Sequence, residues 1–255
     1  MKLKNKTILI TGGATGIGFG FARNLAEQGN QVIITGRRIE KLQEAQKLIP
    51  GLQYFACDVS DPDAIDELFN TLKDKGIVLD VVFNNAGVLE LWDIKTENMT
   101  SGELFTKINT NLSGPVAITQ RFIRQAKPLN QSFIINISTE AAIMPVPILP
   151  LYSSSKAGLS VFTKCLRLQL KDTNFHVIEI VPPATKSKMT TEDMKNTTRL
   201  ADPAVFSLQV IKQIEAGKLY YAPSTNAKLM AFIRRLFPKA GLRVIDALSR
   251  RQLLG

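Results

Sequence analysis

The chain has 255 residues and sets 32 lysines and arginines against 22 acids, a formal net charge of +10. That length can bury a sizeable core, and the absence of a Pro/Gly/Ser-rich linker or repeat points to one domain over 1–255. No run of 18 apolar residues occurs, which excludes a membrane-spanning helix, and the charge suits an anionic cofactor or surface better than nucleic acid.

In chain order, the opening MKLKNKTILITGG passes from lysines into a first strand at 7–11, so no secretory leader and a cytoplasmic location are expected. The strand runs into Thr11-Gly12-Gly13-Ala14-Thr15-Gly16-Ile17-Gly18, which opens a helix over 17–29. A second strand at 31–35 ends at Gly36-Arg37-Arg38 before a helix at 39–48. A third, at 53–57, meets Asp58-Val59 and a helix at 62–73; a fourth, at 80–83, meets Asn84-Asn85-Ala86-Gly87. One long helix is expected over 101–127, then a strand at 132–138, a helix at 152–170 and a strand at 176–181 ending in Pro182-Pro183. A helix at 203–216 and a short strand at 219–222 follow. Near-continuous apolar strands alternating with helices imply a parallel sheet covered on both faces. The expected fold is a doubly wound, Rossmann-type α/β domain, whose ligands bind beyond the carboxyl ends of the strands.

Those strand ends carry chemistry. Glycines permit a tight turn and close backbone approach, and a helix N-terminus offers free N–H groups to a pyrophosphate. At the second strand end no acid stands ready to grip a ribose 2′-hydroxyl, and Arg37 would instead meet the 2′-phosphate of NADP(H). Tyr152 and Lys156 stand four apart on one helix face, where an ammonium would lower the phenol's pKa and ready it for proton exchange. Cys57 and Cys165 lie in apolar runs and are expected as buried free thiols, with neither disulfide nor metal. His176 reads as structural.

The TGxxxGxG turn, the Asn-Asn-Ala-Gly sequence and the Tyr-x-x-x-Lys pair together resemble the short-chain dehydrogenase/reductase family over residues 4–189. The sequence ISTEAA, the Pro-Pro pair and the basic tail resemble its DltE-like branch. The resemblance implies that Gly12, Thr15, Gly16, Ile17 and Gly18 cradle the cofactor phosphates and that Asp58 and Val59 border the adenine. It places Asn85, Ala86 and Gly87 beside the nicotinamide-side ribose, with Pro182 and Ser187 also on the cofactor. Tyr152 would be the general acid/base, Lys156 its partner and ribose ligand, and Asn111 a proton-relay support, preferred over Asn109 because Gly114 follows it by three. Where the family has serine, 13 residues before the tyrosine, this chain has Thr139, with Ser138 one position earlier. Threonine keeps the hydroxyl but adds a β-branch. Pro183 replaces the usual glycine.

The expected activity is hydride transfer between NADP(H) and a carbonyl/alcohol pair. The alternative, motivated by Thr139 and Pro183, is a cofactor-binding regulatory or scaffold protein without turnover. A homodimer or homotetramer is implied, with a shared helix face to which Leu159, Phe162, Leu166 and Leu170 contribute in part, some of them covering the sheet instead. Residues 183–201 are expected to form a substrate loop, and Ile143, Met144, Val146, Ile148 and Leu149 in 141–151 to wall the pocket. The basic tail, 228–255, is expected as two short amphipathic helices separated by Pro238 and Gly241, packed on the domain or a partner copy; binding of anionic lipid is the competing expectation.

Overall fold

The β-branched runs pair edge to edge in the computed structural model, which describes residues 1–126, 130–186, 200–237, 239 and 241–246. The strands are β1 (Thr7–Thr11), β2 (Gln31–Gly36), β3 (Gln53–Ala56), β4 (Val81–Asn84), β5 (Ser132–Ile137), β6 (Phe175–Ile180) and β7 (Tyr220–Tyr221). Every pairing is parallel, and the spatial order is β3-β2-β1-β4-β5-β6-β7. The chain order therefore reverses between β1 and β4, which opens a crevice at their carboxyl ends.

Successive strand side chains point to opposite faces, so each apolar strand feeds two cores. On one face Ile8, Ile10, Ile34, Phe83, Ile135 and Ile178 pack under α1 (Gly16–Glu27) and α8 (Pro203–Glu215). On the other, Leu9, Ile33, Val82, Ile134 and Val177 pack under α3 (Pro62–Asp74), α5 (Gly114–Gln125) and α7 (Pro150–Gln169). Each such Leu, Ile or Phe stabilises the fold by roughly 1.5–3 kcal/mol. Between β2 and β3 lies α2 (Ile39–Leu48). Helix α1 meets α8 so closely that a methyl group at Gly20 would lie 2.6 Å from the Pro203 carbonyl oxygen. Asn24 joins the pair by donating to Ser207 Oγ at 2.6 Å and to the Ala204 carbonyl at 2.9 Å.

Two expectations are corrected and two are narrowed. The helix expected over 101–127 is α4 (Ser101–Ile108), a wide π turn (Asn109–Ser113) and α5. Pro115 has no N–H to donate back to residue 111, so the regular ladder is interrupted there. Cys57 is buried, but Cys165 is exposed because its position falls on the outer side of α7. On the same helix Leu159 and Leu166 are buried and Phe162 packs against the core, as does Leu170 just beyond it; the exposed apolar residues are Val161 and Leu168. In the tail, α9 (Thr225–Leu236) and the helical residues 241–246 leave Leu229, Phe232, Leu236, Leu242 and Val244 exposed instead of packed on the domain. No helix among the described residues is long and apolar enough to cross a membrane.

Candidate active site

The turn after β1 is shaped by where a side chain cannot fit. Gly12 and Gly16 have φ of +63° and +56°, a region costly for L side chains. A methyl group at Gly18 would lie 2.4 Å from the Gly12 carbonyl oxygen and 2.5 Å from Asn85 Nδ2. Asn85 accounts for that crowding: its amide donates to the Thr11 and Gly12 carbonyls at 2.9 and 3.2 Å. Thr11 Oγ1 in turn accepts from the backbone N–H groups of Asn85 and Ala86, both at 3.0 Å. The ends of β1 and β4 are thus stitched together across the crevice. Thr15 precedes α1 without capping it through its side chain, and no acid stands in the first turn, while Ile17 packs on the core. The leading N–H groups are left for an anion, so this cradle fits a dinucleotide pyrophosphate.

Beyond β5 the hydroxyl groups converge. Thr139 sits in extended backbone at φ −163° as the N-cap of α6 (Glu140–Ile143), where its Oγ1 accepts from Ala141 N at 3.3 Å. The same side chain stands beside the Tyr152 phenol, close enough to oppose the rise of its pKa. Ser138 is buried, and its hydroxyl has no partner, so Thr139 is the hydroxyl brought to Tyr152. One turn along α7, Lys156 is 3% exposed and donates from Nζ to the Ile137 carbonyl at 2.9 Å. Burial lowers its pKa to about 8. The Tyr152 pKa is raised by desolvation, with the Thr139 side chain opposing. The expected lowering by the lysine is therefore not what sets the phenol here.

Asn111 is buried in the π turn, its Oδ1 accepting from Val88 N and its Nδ2 donating to the Val88 carbonyl, both at 2.9 Å. A methyl group at Gly87 would lie 3.2 Å from Asn111 Oδ1 and 3.4 Å from Lys156 Nζ, so both side chains close around that glycine. Asn109 points elsewhere, its amide donating to the Ser60 carbonyl at 3.4 Å. Gly114, three residues beyond Asn111, has a structural cause: its methyl would lie 2.1 Å from the Val59 carbonyl oxygen.

A phosphate cradle at the β1–β4 switch point and a Thr-Tyr-Lys-Asn group at the ends of β4 and β5 share one sheet edge. The family model for short chain dehydrogenases matches residues 6–198. The chain belongs to the short-chain dehydrogenase/reductase family. It is 36% identical over 186 residues to an uncharacterized oxidoreductase, DltE, of Bacillus subtilis, covering 72% of this chain and 73% of the other. That likeness sets it in the DltE-like branch of an oxidoreductase family. A short-chain dehydrogenase from Burkholderia cenocepacia, solved with NADP, superposes with a TM-score of 0.79 at 20% identity, over 94% of this chain and 97% of the other. A 3-ketoacyl-(acyl-carrier-protein) reductase from Brucella melitensis, solved with NADH, gives 0.74 at 24% identity, over 82% and 90%. Both likenesses concern the fold.

At the adenosine end of this short-chain dehydrogenase/reductase, Arg37 stands exposed after β2 with its NH1 3.7 Å from Asp58 Oδ2. The other Asp58 oxygen accepts from Ser60 N and Oγ at 2.9 and 2.8 Å, so the carboxylate is held in its own turn. Nearby, Cys57 is pushed up to about 12, chiefly by burial, with the charges of Asp58, Asp61 and Glu67 adding to it, so it stays a thiol. After β6, Pro182 and Pro183 are partly exposed, and the Pro183 carbonyl accepts from Thr185 Oγ1 at 2.8 Å. The base of the 183–201 segment is closed by two backbone bonds, Lys186 N to the Ala201 carbonyl at 3.0 Å and Ala201 N to the Ala184 carbonyl at 2.9 Å. Ser187 lies outside the described residues.

The cleft that the described residues form at Tyr152 is lined by Val88, Glu90, Trp92, Met99, Lys107, Asn111 and Leu151, most of them from a segment the sequence reading did not name. Of 141–151, Leu151 lines this cleft, Met144 and Ile148 are buried in the body, and Ile143, Val146 and Leu149 are partly exposed. Lys107 and Glu90 form an ion pair on the wall. The only sequence signal for this wall was its position after Asn-Asn-Ala-Gly, in a stretch with no periodic pattern. His176 stacks on Phe133 with ring centroids 5.1 Å apart, far along the strand from this cleft.

Proposed function

We propose that this protein is an NADP(H)-dependent reductase or dehydrogenase acting on a carbonyl/alcohol pair, with Tyr152 as the general acid/base. The observation that carries the proposal is Tyr152 lining a cleft, with Thr139 beside it and Lys156 and Asn111 buried behind it. Gly12, Thr15, Gly16, Ile17 and Gly18 would hold the cofactor phosphates, Arg37 a 2′-phosphate, Asp58 and Val59 the adenine edge. Ala86, Gly87, Lys156 and Pro182 would border the nicotinamide half, with Asn85 holding the loop it rests on and Ser187 a further contact. The bound cofactor supplies or takes the hydride.

The chain's own residues handle the proton. With its pKa raised, Tyr152 is a neutral phenol at pH 7 and can give its proton from Oη to a substrate oxygen during reduction. Thr139 Oγ1 can then hold that same oxygen, orienting it toward Tyr152. Lys156, titrating near 8, can return a proton toward the phenol, and Asn111 would support that relay by position without carrying the proton itself. Val88, Trp92, Met99 and Leu151 favour a partly apolar substrate. Thr139 beside the phenol weighs against a binding protein without turnover so far as that reading rested on the missing serine; its other motive, Pro183, stands. Self-association as a homodimer or homotetramer would use the exposed Val161 and Leu168 on α7.

The test is NADPH oxidation with a panel of ketones, aldehydes and diketones. Tyr152→Phe should lower turnover by about 10²–10⁴-fold while leaving NADPH binding intact. A Phe variant that turns over as the parent does would defeat the assignment.

A further inference from the structure

Helix α9 has two unlike faces. Ala227 is buried and Met230 and Ile233 are partly buried, while Arg234 NH1 reaches the Ala142 and Ile143 carbonyls at 3.4 and 2.9 Å. This side seats the helix on α6. Leu229, Phe232 and Leu236, at positions i, i+3 and i+7, share the opposite side. Together with Phe237 and, in the following helical residues, Leu242 and Val244, they are 43–59% exposed. The second segment is held to the first at Gly241, where a methyl group would lie 2.6 Å from an Ile233 side-chain carbon and 2.8 Å from the end of Met144. Leu229, Phe232 and Leu236 therefore form one apolar face anchored from beneath, with Phe237 and the exposed apolar residues of the second segment close by.

The charge around that surface is mostly of one sign. Residues 225–246 contain Lys228, Arg234, Arg235, Lys239 and Arg243 against one acid, Asp246 at the end of the second segment. Lys228 and Arg235 flank Phe232 at i−4 and i+3, and both are exposed. A two-fold contact with a second copy would set this patch against itself, five cations facing five with one acid from each copy to offset them. An anionic lipid surface complements both properties, taking the apolar side chains to the acyl boundary and the cations to the headgroups.

We infer that α9 and the helical residues 241–246 form a docking face for anionic lipid. Docking sets that surface beside the segment leading from Thr139, because α9 rests on α6. It stands independently of the catalytic reading, since nothing in it requires turnover.

The test is co-sedimentation of the full chain with vesicles of phosphatidylcholine alone or with phosphatidylglycerol added, at low and raised salt. The expected result is binding to the anionic vesicles that falls with salt and exceeds binding to the neutral ones by about tenfold or more. Phe232→Ser with Leu236→Ser, and separately Lys228→Glu with Arg235→Glu, should each lower it by about tenfold or more. Their thermal melts and molecular masses should match the parent's, because all four residues are exposed. No binding at low salt, or equal binding to both vesicles, overturns the inference. Unchanged binding in the Ser variant overturns it too, by reducing the effect to net charge. A lower molecular mass in that variant assigns the face to a second copy instead.

Discussion

The two ends of the active-site crevice are held by different means. On the β1–β4 side backbone meets backbone where no Cβ fits: Gly18 against the Gly12 carbonyl, Gly114 against that of Val59. On the β5–α7 side the arrangement rests on side chains reaching main-chain oxygens and one another: Lys156 to Ile137, Asn111 to Val88, Thr139 to Tyr152. The first kind of constraint admits one residue type and tolerates no substitution. The second tolerates exchange of the donor, which is how a threonine can stand where related enzymes have serine.

Gly114→Ala breaks the first kind of constraint most directly. Its methyl would sit 2.1 Å from a backbone oxygen that belongs to the Asp58-Val59 turn and cannot rotate away. We expect a loss of about 3 kcal/mol or more, read as a shifted urea midpoint, because overpacking here must move backbone. Asn111, three residues earlier in the π turn that leads into Gly114, should be displaced with it, so activity falls in the fraction that folds. Gly102→Ala is the control: nothing lies within 4 Å of its Cβ position inside α4. It should be neutral or stabilising by up to about 1 kcal/mol. Equal effects from the two substitutions would show that steric exclusion is not what fixes this end.

The same contrast explains what the sequence discloses. The parallel sheet, its strands and the glycine turn are legible because periodicity and glycine placement follow directly from backbone geometry. Gly114 distinguished Asn111 from Asn109 for a reason the sequence does not state, the close approach to Val59. The cleft wall was not legible, since Val88, Trp92 and Met99 come from an irregular segment whose course depends on contacts such as Trp92 N to the Ile148 carbonyl at 3.0 Å. Asn85 reads as a cofactor neighbour in sequence, yet its amide is spent on the Thr11 and Gly12 carbonyls. Nor could one sequence reveal that Cys165 and Leu168 fall on the outer side of α7 while Leu166 falls inside.

Lys156 sharpens the account of the second end. Burial lowers its pKa from 10.5 to about 8, so between those values the unfolded chain holds a proton that the folded chain has released. Stability attributable to this residue therefore rises with pH across that window, and below it the buried ammonium is a constant cost. The difference in unfolding free energy between parent and Lys156→Met should grow by up to about 3 kcal/mol from pH 7 to pH 11. The Met variant also leaves the Ile137 carbonyl without its donor, a pH-independent loss that a comparison of slopes cancels. Parallel stability curves for the two proteins would mean that Lys156 titrates as if in water.

Arg37 provides the smallest effect and the cleanest separation of fold from function. Its side chain is 53% exposed and its ion pair with Asp58, at 3.7 Å, is long, so the pair is worth under about 1 kcal/mol to the fold. Unlike the glycines around it, Arg37 can be removed without moving backbone. Arg37→Ala, combined with Gly36→Asp, should leave the thermal melt near that of the parent. A charge-assisted contact to a 2′-phosphate is worth about 1.5–3 kcal/mol, so NADPH should bind roughly 10–100-fold more weakly. NADH, which offers a ribose hydroxyl to the new carboxylate, should bind better. Titration of both cofactors against both proteins decides the matter, and equal affinities of the parent for NADPH and NADH would remove the role assigned to Arg37. A parent that prefers NADPH and a variant that still does would move the phosphate contact to Arg38, the N-cap of α2 one residue further on, which is also exposed.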